Sequence, residues 1–310
     1  RGVALVVTPG RTFHVGAAVV VALLACAPFV ADDYLLVLGT DVLVFALFAV
    51  SLHFLMGFGG MVSFGHAAFF GAGAYVAALL MKQAGWTMLA AIVATPFAVA
   101  LLGLAVGWFC VRLAGVYLAM LTLAFAQIAW SVVFQWDDVT GGSNGLVGVW
   151  PAAWAAGKRE YYWLVLAFAA PAVLAVWHVA HSPFGYALRA GRDAAARAEA
   201  IGIPVRRVRW FAFPVAAAAA GLAGALFVFS KGSLSPEVMA ISRSVDGLVM
   251  VLLGGVQTLT GPVAGAALFT WLQDETLRHT EYWRLVLGGS VLALVLAFPK
   301  GVVGSLRRSA

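Results

Sequence analysis

An all-α polytopic membrane protein is the fold class this sequence predicts, and three observations predict it. Hydrophobic residues fill 63% of the 310 positions and charged residues only 10%, against about 25% charged in a soluble domain; no soluble fold of this size can bury so much apolar surface. The apolar residues gather in nine runs, most of them near the roughly 20 residues a helix needs to cross the hydrocarbon. The charges gather between the runs, with six of the 19 Lys and Arg in the segment 181–209. Cytosolic enzymes, nucleic-acid binders and disordered hubs are thereby excluded. The excess of 19 basic over 13 acidic residues belongs to loops at a membrane surface, not to a polyanionic partner.

The first run, 12–31, follows Arg1 and Arg11. It exceeds the roughly 7 to 15 residues of a signal-peptide core, so a retained transmembrane helix is expected, and the start at Arg1 is expected to reflect a longer gene product or a processed chain. The runs 35–56, 61–81, 86–111, 113–135, 161–180 and 210–230 follow, and 282–298 is the last. Between them 245–272 contains Gly254, Gly255, Gly261, Pro262 and Gly265. At about 1.5 Å per residue it is too short for two full crossings. A broken or re-entrant pair of half-helices is expected there, because irregular backbone is tolerated at membrane depth only where protein or a cavity surrounds it. The reading is about eight crossings plus this glycine-rich broken segment, in one domain over 1–310.

Orientation follows from the loop 181–209, where Arg189, Arg192, Arg197, Arg206, Arg207 and Arg209 face only Asp193 and Glu199. Basic loops stay in the cytoplasm. Counting back puts Arg1, Arg11 and Arg112 inside and Asp32, Asp33, Asp137 and Asp138 outside. Counting forward puts Lys300, Arg307 and Arg308 inside only if the broken run does not change sides. Both termini are therefore expected in the cytoplasm.

Polar residues within the runs are the functional suspects. Ser63 and His66 lie in the densest glycine cluster, 57–75, which ends at Tyr75; glycines allow close helix packing or a break beside a pathway. A histidine at membrane depth faces protein or water, though one His in a bundle is more often structural than a ligand. Thr122 and Gln127 sit inside the run 113–135, where they can bond between helices or face a solute. Thr140 to Gly145, including Asn144, reads as tight turns. Asp246 and Gln257 in the broken run and Asp41 near a span end are acidic or amide groups at suspicious depth. Cys26 and Cys110 are expected to be packing residues. In 181–209 an Ala-rich stretch ends at Gly202 and Pro204 and reads as a short helix with a glycine stop. Such a helix is marginal alone and would gain stability from a docking partner; a topology anchor or an anionic-lipid contact is the plainer alternative.

Gly59 to Tyr75, Gly115-Val116-Tyr117 through Gln127, Thr140 to Leu146, Ser182-Pro183-Phe184-Gly185 through Gly202, Gly221 to Leu226, Ser235-Pro236-Glu237, Val251 to Gly255 with Gly261 to Gly265, and Pro299-Lys300-Gly301 together resemble one family. It is that of the permease subunits of bacterial branched-chain amino acid ABC importers, of the LivM and LivH type and more closely LivM. The resemblance implies a coupling loop that inserts into an ATPase groove, assigned here to Arg189, Arg192, Arg197, Glu199, Ala200 and Gly202. Pro204 and the arginine density depart from the usual loop pattern. It further implies a LivH-like second permease, two ATP-binding subunits, an extracytoplasmic solute-binding protein, and the bacterial cytoplasmic (inner) membrane as location. Ser63, His66, Tyr75, Thr122, Gln127 and Asn144 are the expected substrate pathway.

No cofactor is expected on this chain, and ATP is expected to be used by the partners. Lys82, Lys158, Lys231 and Lys300 are followed by Gln83, Arg159, Gly232 and Gly301, so none completes a phosphate-binding Gly-Lys-Ser/Thr. His178 and His181 lack a carboxylate to complete a zinc site. An ion-coupled transporter would need more ionisable groups near mid-depth, and an intramembrane enzyme a convergent nucleophile and base. Permeases for urea, short amides or small organic acids remain alternatives within the family.

Overall fold

The computed structural model describes residues 11–258, 260–298 and 301–306; the expectations placed on Arg1, Pro299, Lys300, Arg307 and Arg308 fall outside them. In chain order the helices are α1 (Arg11–Val30), α2 (Asp33–His53), α3 (His66–Lys82), α4 (Met88–Cys110), α5 (Val116–Gln135) and the single turn α6 (Asp137–Thr140). A strand β1 (Leu146–Val149) precedes α7 (Lys158–Ala180), α8 (Pro183–Asp193), α9 (Ala195–Ala200) and α10 (Val205–Lys231). Strand β2 (Gly232–Leu234) then leads to α11 (Ile241–Gly254), α12 (Gly261–His279), α13 (Trp283–Ala297) and α14 (Val302–Leu306). Six segments of the described residues are long and apolar enough to cross a membrane: Asp33–Phe58, α4, α5, α7, α10 and Trp283–Gly304. Val19–Phe29 within α1 and α3 are shorter apolar helices, so the eight expected crossings all have a helical counterpart.

The bundle is built round α10, which is buried from Ala212 to Phe229 with few interruptions. Its alanine and glycine run lets neighbouring backbones approach. A side chain added at Gly73 of α3 would overlap the Gly221 backbone, one at Gly224 the Phe70 carbonyl, and one at Gly103 of α4 would press on Ala217. With lipid as apolar as leucine, close van der Waals contact of this kind supplies the association that water-driven burial supplies elsewhere. Phe45, Phe48, Phe70 and Phe227 fill the space beside it, with ring centroids 5.1 to 6.3 Å apart.

The chain breaks after Gly254, where Gly255 takes φ 110°, so the interruption falls where the glycines place it. Its two arms are unequal. α11 has 14 residues, about 21 Å. α12 has 19, so the expected pair of half-helices holds for α11 only; α12 runs beside α2, where the Tyr34 hydroxyl bonds Asp274 toward its C-terminal end and, in the turn before its start, His53 Nε2 donates to the Val256 carbonyl at 2.7 Å. Both helices outrun the apolar run, α12 by a polar last turn in which Arg278 pairs with Asp274 at 3.2 Å.

One element departs from the all-helical expectation. β1 and β2 form a small antiparallel pair, Leu146 opposite Leu234 and Val147 opposite Ser233. Gly232, in the left-handed region at φ 66°, ends α10 and turns the chain into it. The pair lies at the end of the bundle remote from α8 and α9.

Candidate functional site

α2 does not end cleanly. Its last turn widens into a π-helical turn, Phe54–Phe58, a rare form that is frequently found at functional sites. Gly59 to Gly65 then run without regular structure before α3 starts at His66. Free backbone donors here and in the first turn of α3 must find partners inside the protein; side chains from two other helices supply them, and a third helix holds the His66 side chain. Phe64 N donates to Thr122 Oγ1 of α5 at 3.3 Å, and Ala67 N donates to Ser244 Oγ of α11 at 2.9 Å. Ser51 of α2 gives its own proton to the Phe48 carbonyl at 2.6 Å, so its oxygen accepts from His66 Nε2 at 2.8 Å. A side chain at Gly65 would overlap the Thr122 carbonyl, which is why the loop can lie so close to α5.

His66 is fully buried, packed by Phe48 and Phe69 with centroids 5.5 and 5.7 Å away. With its proton on Nε2, its Nδ1 is a bare acceptor. That atom, Ser63 Oγ and Tyr75 Oη are buried without a hydrogen-bond partner among the described residues, and buried polar atoms are otherwise nearly always paired. Of the expected pathway residues, Ser63, His66 and Thr122 therefore come together at the start of α3. Tyr75 lies on the same helix about 13 Å further along. Gln127 is half-buried on α5, and Asn144 is exposed in the turn Gly142–Asn144 and stands apart from the others. Ser51 and Ser244 complete the arrangement and went unrecognised as single hydroxyls in apolar surroundings.

The arginine segment forms two helices, not one. Pro183 occupies the first turn of α8, where its missing N–H costs nothing. Gly185, Leu188 and Gly191 are its buried residues. The chain bends at Ala194, and α9 ends as the sequence reading expects: Gly202 takes φ 89°, its N–H reaches the Glu199 carbonyl at 2.9 Å, and Ile203 N reaches Ala198 O at 3.0 Å. These two bonds are the paired closure of a Schellman motif.

The residues assigned to ATPase coupling divide between the two helices. Arg192 donates to the Gly57 carbonyl in the π turn, and Arg189 lies 4.3 Å from the Phe58 ring centroid while donating to Ala180 O at 3.2 Å. Both arginines thus hold α8 against the bundle. Arg197, Glu199, Ala200 and Gly202 are exposed. His181 packs on Trp177, with centroids 4.4 Å apart. Burial, with Arg189 nearby, lowers its pKa below the ordinary histidine value despite the opposing bond to the Trp177 carbonyl. α8 is thereby fastened to the turn that runs, within a few residues, into Ser63 and His66.

A polytopic bundle with irregular backbone and unpaired polar atoms at its centre, mechanically tied to an exposed helix pair at one end, is the build of a membrane transport subunit. The profile of the branched-chain amino acid transport system permease component matches residues 34–296, and the chain belongs to that family. It is similar to the high-affinity branched-chain amino acid transport system permease protein LivM of Escherichia coli, 27% identical over 93% of this chain and 75% of the relative. The LivM protein of Salmonella typhimurium is 26% identical over 90% of this chain and 72% of its own. The autoinducer 2 import system permease protein LsrC of Yersinia pseudotuberculosis is 32% identical over a shorter stretch, 39% of this chain and 37% of its own. No solved structure matches the chain.

Proposed function

We propose that this chain is the LivM-like permease subunit of a binding-protein-dependent ABC importer, moving branched-chain or other apolar amino acids across the bacterial cytoplasmic membrane. It works with a LivH-like second permease, two ATPase subunits and an extracytoplasmic solute-binding protein. ATP is bound and hydrolysed by the partners. α9 presents Arg197, Glu199, Ala200 and Gly202 to an ATPase groove, and ATP-driven closure moves α8 and α9 together. Ser63, His66, Tyr75, Thr122 and Gln127 contribute to the solute pathway, which faces one side of the membrane at a time.

The observation that carries this reading is the fastening of Arg192 and Arg189 to the π turn, since it gives a force applied at α8 a direct route to the loop bearing Ser63 and His66. In this reading the start of α1 and Gly301 lie at that same end of the bundle. Gly301 packs against Gly254 and Gly255, near His53 and Val256, and the far end of α1 reaches Trp163 at the start of α7 through Phe29, with centroids 6.1 Å apart. That end is the cytoplasmic one, as the basic loop demands.

The test is reconstitution of the chain with the permease, ATPase and binding protein of neighbouring genes, followed by uptake of labelled leucine into vesicles. Uptake requiring both ATP and the binding protein is expected. Uptake driven by an ion gradient without ATP would refute the reading, and a C-terminal reporter active only outside would refute the orientation.

A further inference from the structure

Arg243 and Asp246, on the first two turns of α11, belong to none of the roles assigned above. Three arginines among the described residues are held at intermediate burial: Arg189, Arg209 and Arg243. Arg189 and Arg209 donate to main-chain carbonyls. Arg243 has no such bond; its polar partner is Asp246, with Nη1 to Oδ2 at 3.7 Å, too long for a good hydrogen bond. The two side chains keep 23% and 29% of their surface exposed, so both are reachable.

The pair stands at mid-depth. The Arg243 guanidinium lies 5.1 Å from the ring centroid of Phe45 and 5.9 Å from that of Phe227. Phe45 is midway along the crossing Asp33–Phe58. Ser244, the next residue, is the one that holds Ala67 at the start of α3. An arginine at such depth is costly and calls for a reason.

Helix stability does not supply the reason. Arg243 is the third residue of α11, where the helix dipole disfavours a cation. The ion pair also runs cation first and carboxylate three residues later, the less favourable order. Local electrostatics would have exchanged the two charges. What the arrangement does provide is a neutral, loosely closed cation–anion pair whose guanidinium is oriented by two aromatic faces. A free amino acid presents the complementary pattern: a carboxylate for the guanidinium fork, an ammonium for the carboxylate, and an apolar side chain for the phenyl rings.

We propose that Arg243 and Asp246 form a transient binding site for the zwitterionic head group of a permeating α-amino acid, its carboxylate on Arg243 and its ammonium on Asp246. The site deepens the amino-acid import reading and rests on it. Bonds from charged groups are strong enough that losing either partner lowers uptake by about tenfold or more. The reconstituted importer tests this through leucine uptake per assembled complex for Arg243→Gln, Asp246→Asn, the conservative Arg243→Lys, the doubly neutral Arg243→Gln with Asp246→Asn, and the exchanged Arg243→Asp with Asp246→Arg.

Loss in each single neutral variant, an intermediate rate for Arg243→Lys, and no recovery in either double variant are expected. A head-group site needs the cation over Phe45 and Phe227 and the anion below it. Recovery in the doubly neutral or the exchanged variant would reveal a structural ion pair and overturn the proposal, as would single variants at the wild-type rate. The wild type separates the two failures. If it carries leucine while the single variants carry it equally well, this site alone falls; if it carries no amino acid, the import reading falls and the site with it.

Discussion

Replacing Arg192 with Gln removes the charged donor that joins α8 to the Gly57 carbonyl. The aliphatic stem that lies over Gly60, where an added Cβ would come within 2.6 Å of the Arg192 Cγ, is shortened as well. A hydrogen bond from a charged group contributes about 1.5–3 kcal/mol net. The Arg192 side chain is 39% exposed and also pairs with Asp193, so solvent screening reduces the figure to about 1–2 kcal/mol. At about 1.4 kcal/mol per factor of ten, α8 would detach from the π turn about 5- to 30-fold more often. In the reconstituted importer, leucine taken up per ATP hydrolysed is expected to fall within that range while ATP hydrolysis continues, because the ATPases still move α9 but the movement no longer reaches residues 54–65. Arg206→Gln, at an exposed position in the first turn of α10, serves as the control and leaves the ratio near wild type. An unchanged ratio in Arg192→Gln would refute the proposed route through the π turn.

Gly224→Val drives a side chain into the Phe70 carbonyl and is expected to cost about 1–3 kcal/mol or more by overpacking, read as a lower melting temperature in detergent; Gly289→Ala, with open space around it, leaves the melting temperature unchanged. Gly202→Ala meets no atom within 4 Å but must adopt φ 89°, so its cost of about 1–2 kcal/mol is purely conformational. Weaker co-purification with the ATPases and reduced uptake are the expected signs, stronger still in Gly202→Pro, which also lacks the N–H to Glu199. Thr122→Val with Gln127→Leu is expected to lower uptake in intact vesicles, and a wild-type rate would remove both residues from the pathway.

Much of the architecture was legible because lipid imposes a simple rule on sequence. Runs of sufficient length became helices, the break in 245–272 fell at Gly254 and Gly255, and Gly202 stopped α9 because a left-handed residue there is nearly always glycine. The π turn was not legible, since Phe54-Leu55-Met56-Gly57-Phe58 has the composition of ordinary membrane helix and the widening is set by what packs on it. The direction of the arginines was equally hidden. Charge density located the loop, but only the fold of α8 shows that Arg189 and Arg192 turn inward while Arg197 and Glu199 face out. Ser51 and Ser244 looked like isolated hydroxyls, and their purpose appears only when the first turn of α3 is seen to need them, Ser51 for the His66 ring and Ser244 for the Ala67 N–H. The pairing of β1 with β2 joins distant parts of the chain and has no local signature.

The central claim is that α9 meets an ATPase while the opposite end of the bundle does not. Cross-linking in the assembled complex tests it most directly, with a cysteine introduced by Glu199→Cys or Ala200→Cys at one end and by Tyr282→Cys at the other, all three exposed. A cross-link to the ATPase from positions 199 and 200, and none from position 282, is the predicted result. An ATPase cross-link from position 282 with none from α9 would contradict it.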